Sequence, residues 1–424
     1  MTSTASSLLE RLGPDDDAGA VSWLREHGLP TAKDEAWKYT DLKEVLATEC
    51  EPLAQAPDST VGSEDLKSLA GDLGGPTLVF VDGFFSAELS GRLDSVEGMT
   101  VAELSSFAGE FPPLVPSARV DGFQMLNRAT AGQGAVVLVD PGISVPGAVH
   151  IAHVSTSAAM AAFIQPRVVV HVGAASVLTL VESYVGIGGS GLVNALTEVT
   201  VEHDATVSHF KLQNEVSSIN HLSHVGVRQM RGSTFTSTSF MVGAKVARAS
   251  IDVVAVEDDT TTQLEGLYLP SGSQRHDNVI TVEHSASHGS STQVYKGVID
   301  DRARGSFSGH IIVDVDTVAT DAHQSNRSIL LNPVAQSDSR PWLEIFADDV
   351  SCTHGSAIGR LDADALFYLQ SRGIPYDEAR SILIGGFMNE IIDHIEIEAL
   401  REHVAQVVSD KVSARVSADI GGDH

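Results

Sequence analysis

From Ala135 to Ile345 the chain alternates short apolar runs with turn residues. Runs such as Ala135–Val139, Arg167–Val172, Ser176–Val181 and His310–Val315 are rich in Val, Ile and Thr. Gly, Ser, Asp and Asn bound them, which is the signature of strands between tight turns. No long amphipathic helix interrupts the series. A βαβ sheet needs a helix at each crossover, so this stretch predicts an all-β sandwich, barrel or solenoid. Upstream, Thr77–Val81 reads as a strand ending in a turn at Asp82–Gly83.

Internal similarity favours the solenoid. Val199–Thr206, Val254–Thr261 and Ile280–Ser287 read VTVEHDAT, VAVEDDTT and ITVEHSAS. Their glutamates, Glu202, Glu257 and Glu283, fall two repeats and then one repeat apart, at a period of about 27 residues, with Gln229 at the skipped position. That period suits the stacked coils of a parallel β-helix, each burying its apolar face on its neighbours. The three glutamates also invite comparison with the acid/base pairs of a β-helix carbohydrate-active enzyme. Their repeat-like positions favour a solvent-facing column instead. Like charges stacked one coil apart repel, so the registers are expected to differ.

The flanks change period. Leu8, Leu9 and Leu12, then Val21, Leu24 and Arg25, recur at helical spacing. Prolines and glycines between Pro52 and Pro76 then break the pattern. Towards the C-terminus, Asp362 is a good N-cap for a helix over Ala363–Arg372, with Gly373 after it and Pro375 as a breaker. Ala379, Ile382, Leu383, Phe387, Ile391, Ile392 and Ile395 form a second helical stripe, in a helix expected to run on past Ala399. The organisation expected is an N-terminal helical region (1–75), a β-helix core (76–358, regular over about 135–350) and a C-terminal helical region (359–424).

Charge narrows the partners. Lys plus Arg is 27 and Asp plus Glu is 56, a formal net charge of −29. Such a surface repels phosphate backbones and anionic lipid, so neither nucleic acid nor membrane is an expected partner. The two cysteines make no disulfide framework. The start lacks a basic segment followed by an apolar core, and Gln165, Pro166, Arg167 and His171 interrupt the most apolar stretch. A cytoplasmic location is expected.

The candidate chemistry lies in Leu343–Gly373, where Cys352 precedes His354 by two residues. On a strand these side chains share a face. A thiolate beside an imidazole suits iron, copper or zinc better than magnesium or calcium. On residue type alone, a small buried cysteine and a structural histidine are the commoner case. One pair is also too few for a four-coordinate site, so the missing ligands must come from elsewhere. His221 and His224, three apart, would face opposite ways on a strand. His284 and His288 flank Ser and Ala in what reads as a turn. These histidines, with His203, His209, His276, His310 and His323, are read as structural. Trp37 and Tyr39 are read as anchors of a local N-terminal core.

Many short motifs occur in one order: Tyr295-Lys-Gly, Phe307-Ser-Gly309, Thr320-Asp-Ala322, Gln324-Ser-Asn326, Pro341-Trp-Leu-Glu-Ile345, Cys352-Thr-His-Gly355, Leu366-Phe-Tyr-Leu369 and Ser371-Arg-Gly-Ile374. Together with Glu35-Ala-Trp-Lys-Tyr-Thr near the N-terminus, they resemble the SufB/SufD family of iron–sulfur cluster assembly proteins. Gly355 resembles the SufD branch; the SufB branch typically has His-Glu at this point, and a SufB-type subunit is the alternative. The resemblance implies a right-handed parallel β-helix between helical ends and a non-catalytic scaffold role. It implies a heterodimer with SufB, both held by the ATPase SufC, and a transient iron–sulfur cluster shared with SufB. By the same resemblance, His354 and Cys352 are the metal-site residues at the partner interface, incomplete without the partner. Phe367, Tyr368, Arg372 and Phe387 are the partner-contact candidates. No phosphate-binding loop is seen, as suits a scaffold whose ATP is hydrolysed by another subunit.

Overall fold

The computed structural model describes residues 3–13, 17–58, 61–94, 96–107 and 120–420. Its body is a parallel β-solenoid of about eight turns. Sixteen strands build it in chain order: β1 Gln133–Val139, β2 Ser144–Ser155, β3 Pro166–Val172, β4 Val177–Gly186, β5 Gly191–Val201, β6 Thr206–Asn214, β7 Ile219–Gln229 and β8 Thr234–Met241. They continue as β9 Val246–Ala255, β10 Thr261–Tyr268, β11 Arg275–His284, β12 Ser290–Ile299, β13 Arg304–Val313, β14 Thr320–Leu330, β15 Gln336–Ile345 and β16 Val350–Gly359. Odd strands lie in a 12-stranded sheet and even strands in a 10-stranded sheet. The two sheets face each other across the core.

The register explains why these residues stack. One inward column runs Val137, Val170, Val199, Val227, Val253, Val282, Ile311 and Leu343, one residue from each odd strand. β-branched side chains fill this pleated interior, and most of them are fully buried. The corners share a backbone feature. Gly142, Asp204, Gly232, Asp259 and His288 all take positive φ, which Gly and Asp tolerate best. Their N–H groups reach the next coil: Asp204 to Arg231, Gly232 to Asp258, Asp259 to Ser287 and His288 to Val318.

The VEHDA-like repeats mark these corners, with Asp204 and Asp259 as equivalent residues. The glutamates are not equivalent. Glu202 follows the last residue of β5, Glu257 lies two past the end of β9, and Glu283 is still inside β11. Corner lengths differ, so register partners drift from a fixed period: Val201, Gln229, Ala255, His284, Val313, Ile345. No glutamate column forms; instead His203 sits between Glu202 (3.6 Å) and Glu257 (2.9 Å).

Helices cover the outer faces. α1 (Ala18–His27), α2 (Leu42–Ala47) and α4 (Gly122–Thr130) pack Val21, Leu24, Val45, Phe123 and Leu126 on the odd sheet. Trp37 joins this cluster and is capped by Arg248, 4.1 Å above its ring, whereas Tyr39 is only half-buried. α3 (Ser63–Ala70), α6 (Tyr376–Ile392) and α7 (Glu398–Ile420) cover the even sheet through Leu66, Ile384, Met388, Leu400, Val404 and Val408. Burying each such aliphatic side chain contributes about 1.5–3 kcal/mol.

The expected C-terminal stripe is corrected in two ways. The buried face of α6 is Ala379, Arg380, Ile384, Met388, Ile391 and Ile392, and Ile382 points to solvent. The helix also stops at Ile392 and a separate α7 begins at Glu398. Both faces of α6 carry apolar residues, so spacing alone did not fix its phase. Among the described residues, no helix is long and apolar enough to cross a membrane.

Candidate metal-site half at the open end

β15 and β16 are the last strands of their sheets, so both sheets end at the same place. No later strand pairs with either edge among the described residues. β16 is almost wholly exposed, although its register continues the interior rows. Cys352 extends the row Leu178, Val207, Phe235, Thr262, Ser291, Ala322. His354 extends the row Leu180, His209, Ser237, Leu264, Gln293, Gln324. Both side chains therefore belong to the inward face of a coil that no later strand covers among the described residues. Alternation along the strand puts them on that face together.

Their surroundings differ. Cys352 is half-buried against a small apolar cluster that includes Ile311, Val313 and Ala322. Burial raises its thiol pKa, and the Asp321 carboxylate adds to the shift, so at neutral pH the sulfur keeps its proton. A metal would have to displace that proton. His354 is exposed and makes no hydrogen bond among the described residues. No group of three or more His, Cys, Asp or Glu among the described residues is placed to hold a metal ion. A side chain built at Gly355 would meet nothing within 4 Å, so packing does not require glycine beside His354.

Hydrophobic groups surround this end. Ile345, Phe346 and Ile358 are exposed. Trp342 stacks on His310 at 4.4 Å, with Arg340 4.8 Å from its ring. α5 (Ala363–Ser371) follows β16, and the Asp362 side chain accepts from Asp364 N (2.9 Å) and Ala365 N (3.1 Å) to start it. Phe367 and Tyr368 are 72% and 57% exposed, and Arg372 lies 5.2 Å from the Tyr368 ring. Phe387 is placed differently: it is half-buried under Lys296, whose Nζ also donates to Phe387 O (2.9 Å) and pairs with Glu390.

The interior behind β16 holds residues that sequence reasoning left without a role. Gln324 Nε2 donates to Gln293 Oε1 (2.7 Å), Asn326 Nδ2 to Ser339 Oγ (2.9 Å) and Ser337 Oγ to Ser328 Oγ (3.0 Å). Glycines make the room, since a methyl group at Gly309 would overlap the Gln324 amide and one at Gly297 the Tyr268 ring. Gly309 and Gln324 both fall in the motifs quoted above, and that pairing was the available signal. The other histidines read as structural. His221 faces inward to Glu215 (2.9 Å), His224 faces outward near Asp252 (3.7 Å), and His288 is a corner. A separate cleft of about 530 Å³ between the N-terminal helices and the odd sheet is lined by all three tryptophans and contains neither Cys352 nor His354.

Two family models match. The SufBD core domain of SUF-system iron–sulfur cluster assembly covers residues 153–387, more than half the chain, and the SufBD N-terminal region covers 16–151. A SufBD family protein of iron–sulfur cluster assembly from Synechocystis is 29% identical over 406 residues, 92% of this chain and 89% of the relative. The iron–sulfur cluster assembly protein SufD of Escherichia coli is 28% identical over 384 residues, 90% and 89% of the two chains. A chloroplastic protein of Arabidopsis thaliana, ABCI7, is 29% identical over 388 residues, 88% and 80%. These matches favour neither a SufB-type subunit nor a carbohydrate-active enzyme. Motifs, solenoid and matches agree, and the chain belongs to the SufBD family as a subunit of SUF iron–sulfur cluster assembly.

Proposed function

We propose that the chain is a non-catalytic scaffold subunit that works with SufB and the ATPase SufC in the cytoplasm. The nascent cluster forms at the open end of the solenoid, where SufB covers β15 and β16. His354 and Cys352 supply this chain's half of the site and SufB supplies the rest, so the cluster is transient and shared. SufC hydrolyses the ATP. The N-terminal region (1–75), core (76–358) and C-terminal region (359–424) divide the work, with Phe367, Tyr368 and Arg372 on α5 contacting a partner. Phe387 acts there indirectly, by holding α6 against β12.

One observation carries this reading: Cys352 and His354 share the inward face of a terminal coil whose two sheet edges are unpaired among the described residues. Long bare edges invite strand pairing, and exposed apolar groups beside them mark an interface. The test is co-expression with SufB and SufC followed by size exclusion. One complex is expected, and His354→Ala should leave it intact while lowering cluster assembly in cells. Failure to co-elute defeats the scaffold reading. Unchanged activity of cluster-dependent enzymes in the variant removes His354 from the site.

A further inference from the structure

Directly behind His354 in the register lies Gln324, and behind that Gln293. Both amides are buried, at 3% and 0% exposure, inside the solenoid. Because Gln324 donates to Gln293, its own Oε1 is left buried without a hydrogen-bond partner. The far end of the pair, Gln293 Nε2, also lacks a partner and adjoins the apolar Leu264 row. An unsatisfied buried acceptor is unfavourable by about 1–3 kcal/mol, so its retention calls for a use. In a parallel sheet, register partners point the same way and lie about 4.8 Å apart. Gln324 and His354 are thus direct register partners on neighbouring strands, and no bond joins their side chains as they stand.

We propose that Gln324 is a positioning residue for His354. With the His354 ring turned inward, its Oε1 accepts a hydrogen bond from one ring N–H. That fixes the tautomer and leaves the lone pair of the other nitrogen directed out of the open end. Metal-binding histidines almost always hold their second nitrogen in this way, and such supports are worth about 10–100-fold in affinity or activity. Gly309 belongs to the same device, since its missing side chain is what admits the Gln324 amide. The inference rests on His354 being a ligand, as proposed above.

The test uses the full chain labelled with ¹⁵N-histidine, with the His354 signals identified by their loss in His354→Ala. Two-bond ¹⁵N–¹H correlations report the tautomer. One tautomer is expected in the unaltered chain, a mixture in Gln324→Leu, and a single tautomer again in Gln324→Glu, which keeps an acceptor. Within the assembled complex, Gln324→Leu should lower cluster assembly about 10-fold or more, with Gln324→Glu recovering most of it. A tautomer mixture in the unaltered chain overturns the proposal without any variant, as does a single tautomer retained in Gln324→Leu. If His354→Ala leaves assembly unchanged, the ligand reading itself fails. If His354→Ala abolishes assembly and Gln324→Leu changes nothing, only the positioning role fails.

Discussion

Cys352 shows how far a residue can be read before its neighbours are known. Its spacing from His354 was legible, because alternation on a strand is local. Its ionisation was not, because burial and the Asp321 carboxylate come from the coil below. Both raise the thiol pKa, and a backbone hydrogen bond from Ala322 opposes them. Alkylation of Cys352 by iodoacetamide should therefore show a pH midpoint above that of an ordinary thiol, and Asp321→Asn should lower it. A midpoint unmoved by Asp321→Asn would show that burial alone acts. Cys50 is fully buried in the N-terminal cluster, so it should react only on unfolding. The role of Gln324 was hidden for the same reason: its partner is thirty positions on in sequence and one coil away in space.

Elements were legible where their signal is short-range. The Asp362 cap, the strands and the Asp82–Gly83 turn all follow from adjacent residues, and Asp82 and Gly83 do take positive φ between paired strands. Register was less legible, because the corners vary in length and a fixed period requires equal ones. Interior glycines were harder still, since their need is set by side chains on other coils. Gly309→Ala should destabilise the chain by about 1–3 kcal/mol through overlap with Gln324, and Asp362→Ala by about 1 kcal/mol through loss of the α5 cap. Urea unfolding measures both. Pairing Gly309→Ala with Gln324→Ala should recover part of the loss, because the overlapping atoms are removed. Strict additivity of the two would show that Gly309 is needed for another reason.

At the scale of the molecule, the solenoid buries several histidines and carboxylates, and these set its response to acid. His150, His153, His224 and His284 are each lowered to about 4, in every case chiefly by burial. Unfolded, they would titrate near 6.5, so the unfolded chain binds protons more readily than the folded one. Their contribution is complete above about 6.5 and is lost as pH falls from there towards 4, at roughly 1.4 kcal/mol per unit for each group. Glu182 acts lower: burial pushes it up, but its partner His209 at 3.0 Å, with Lys211 and Tyr184, outweighs that and brings it down to about 2, so it resists acid until the histidines have already charged. Opposing all of this, acid relieves the self-repulsion of a chain carrying −29. The buried histidines should win, because only the unfolded chain can hydrate their protonated rings, while the surface carboxylates are hydrated in both states. The urea midpoint should therefore fall between pH 7.5 and 5.5, a range above the sequence pI of about 4.8. His153 stacks between Phe80 (5.0 Å) and Tyr184 (4.7 Å), so His153→Phe keeps the stack and should flatten the curve. A midpoint that stays level or rises as the pH falls would mean that relief of surface repulsion governs stability, and that the buried histidines are better hydrated than their burial implies.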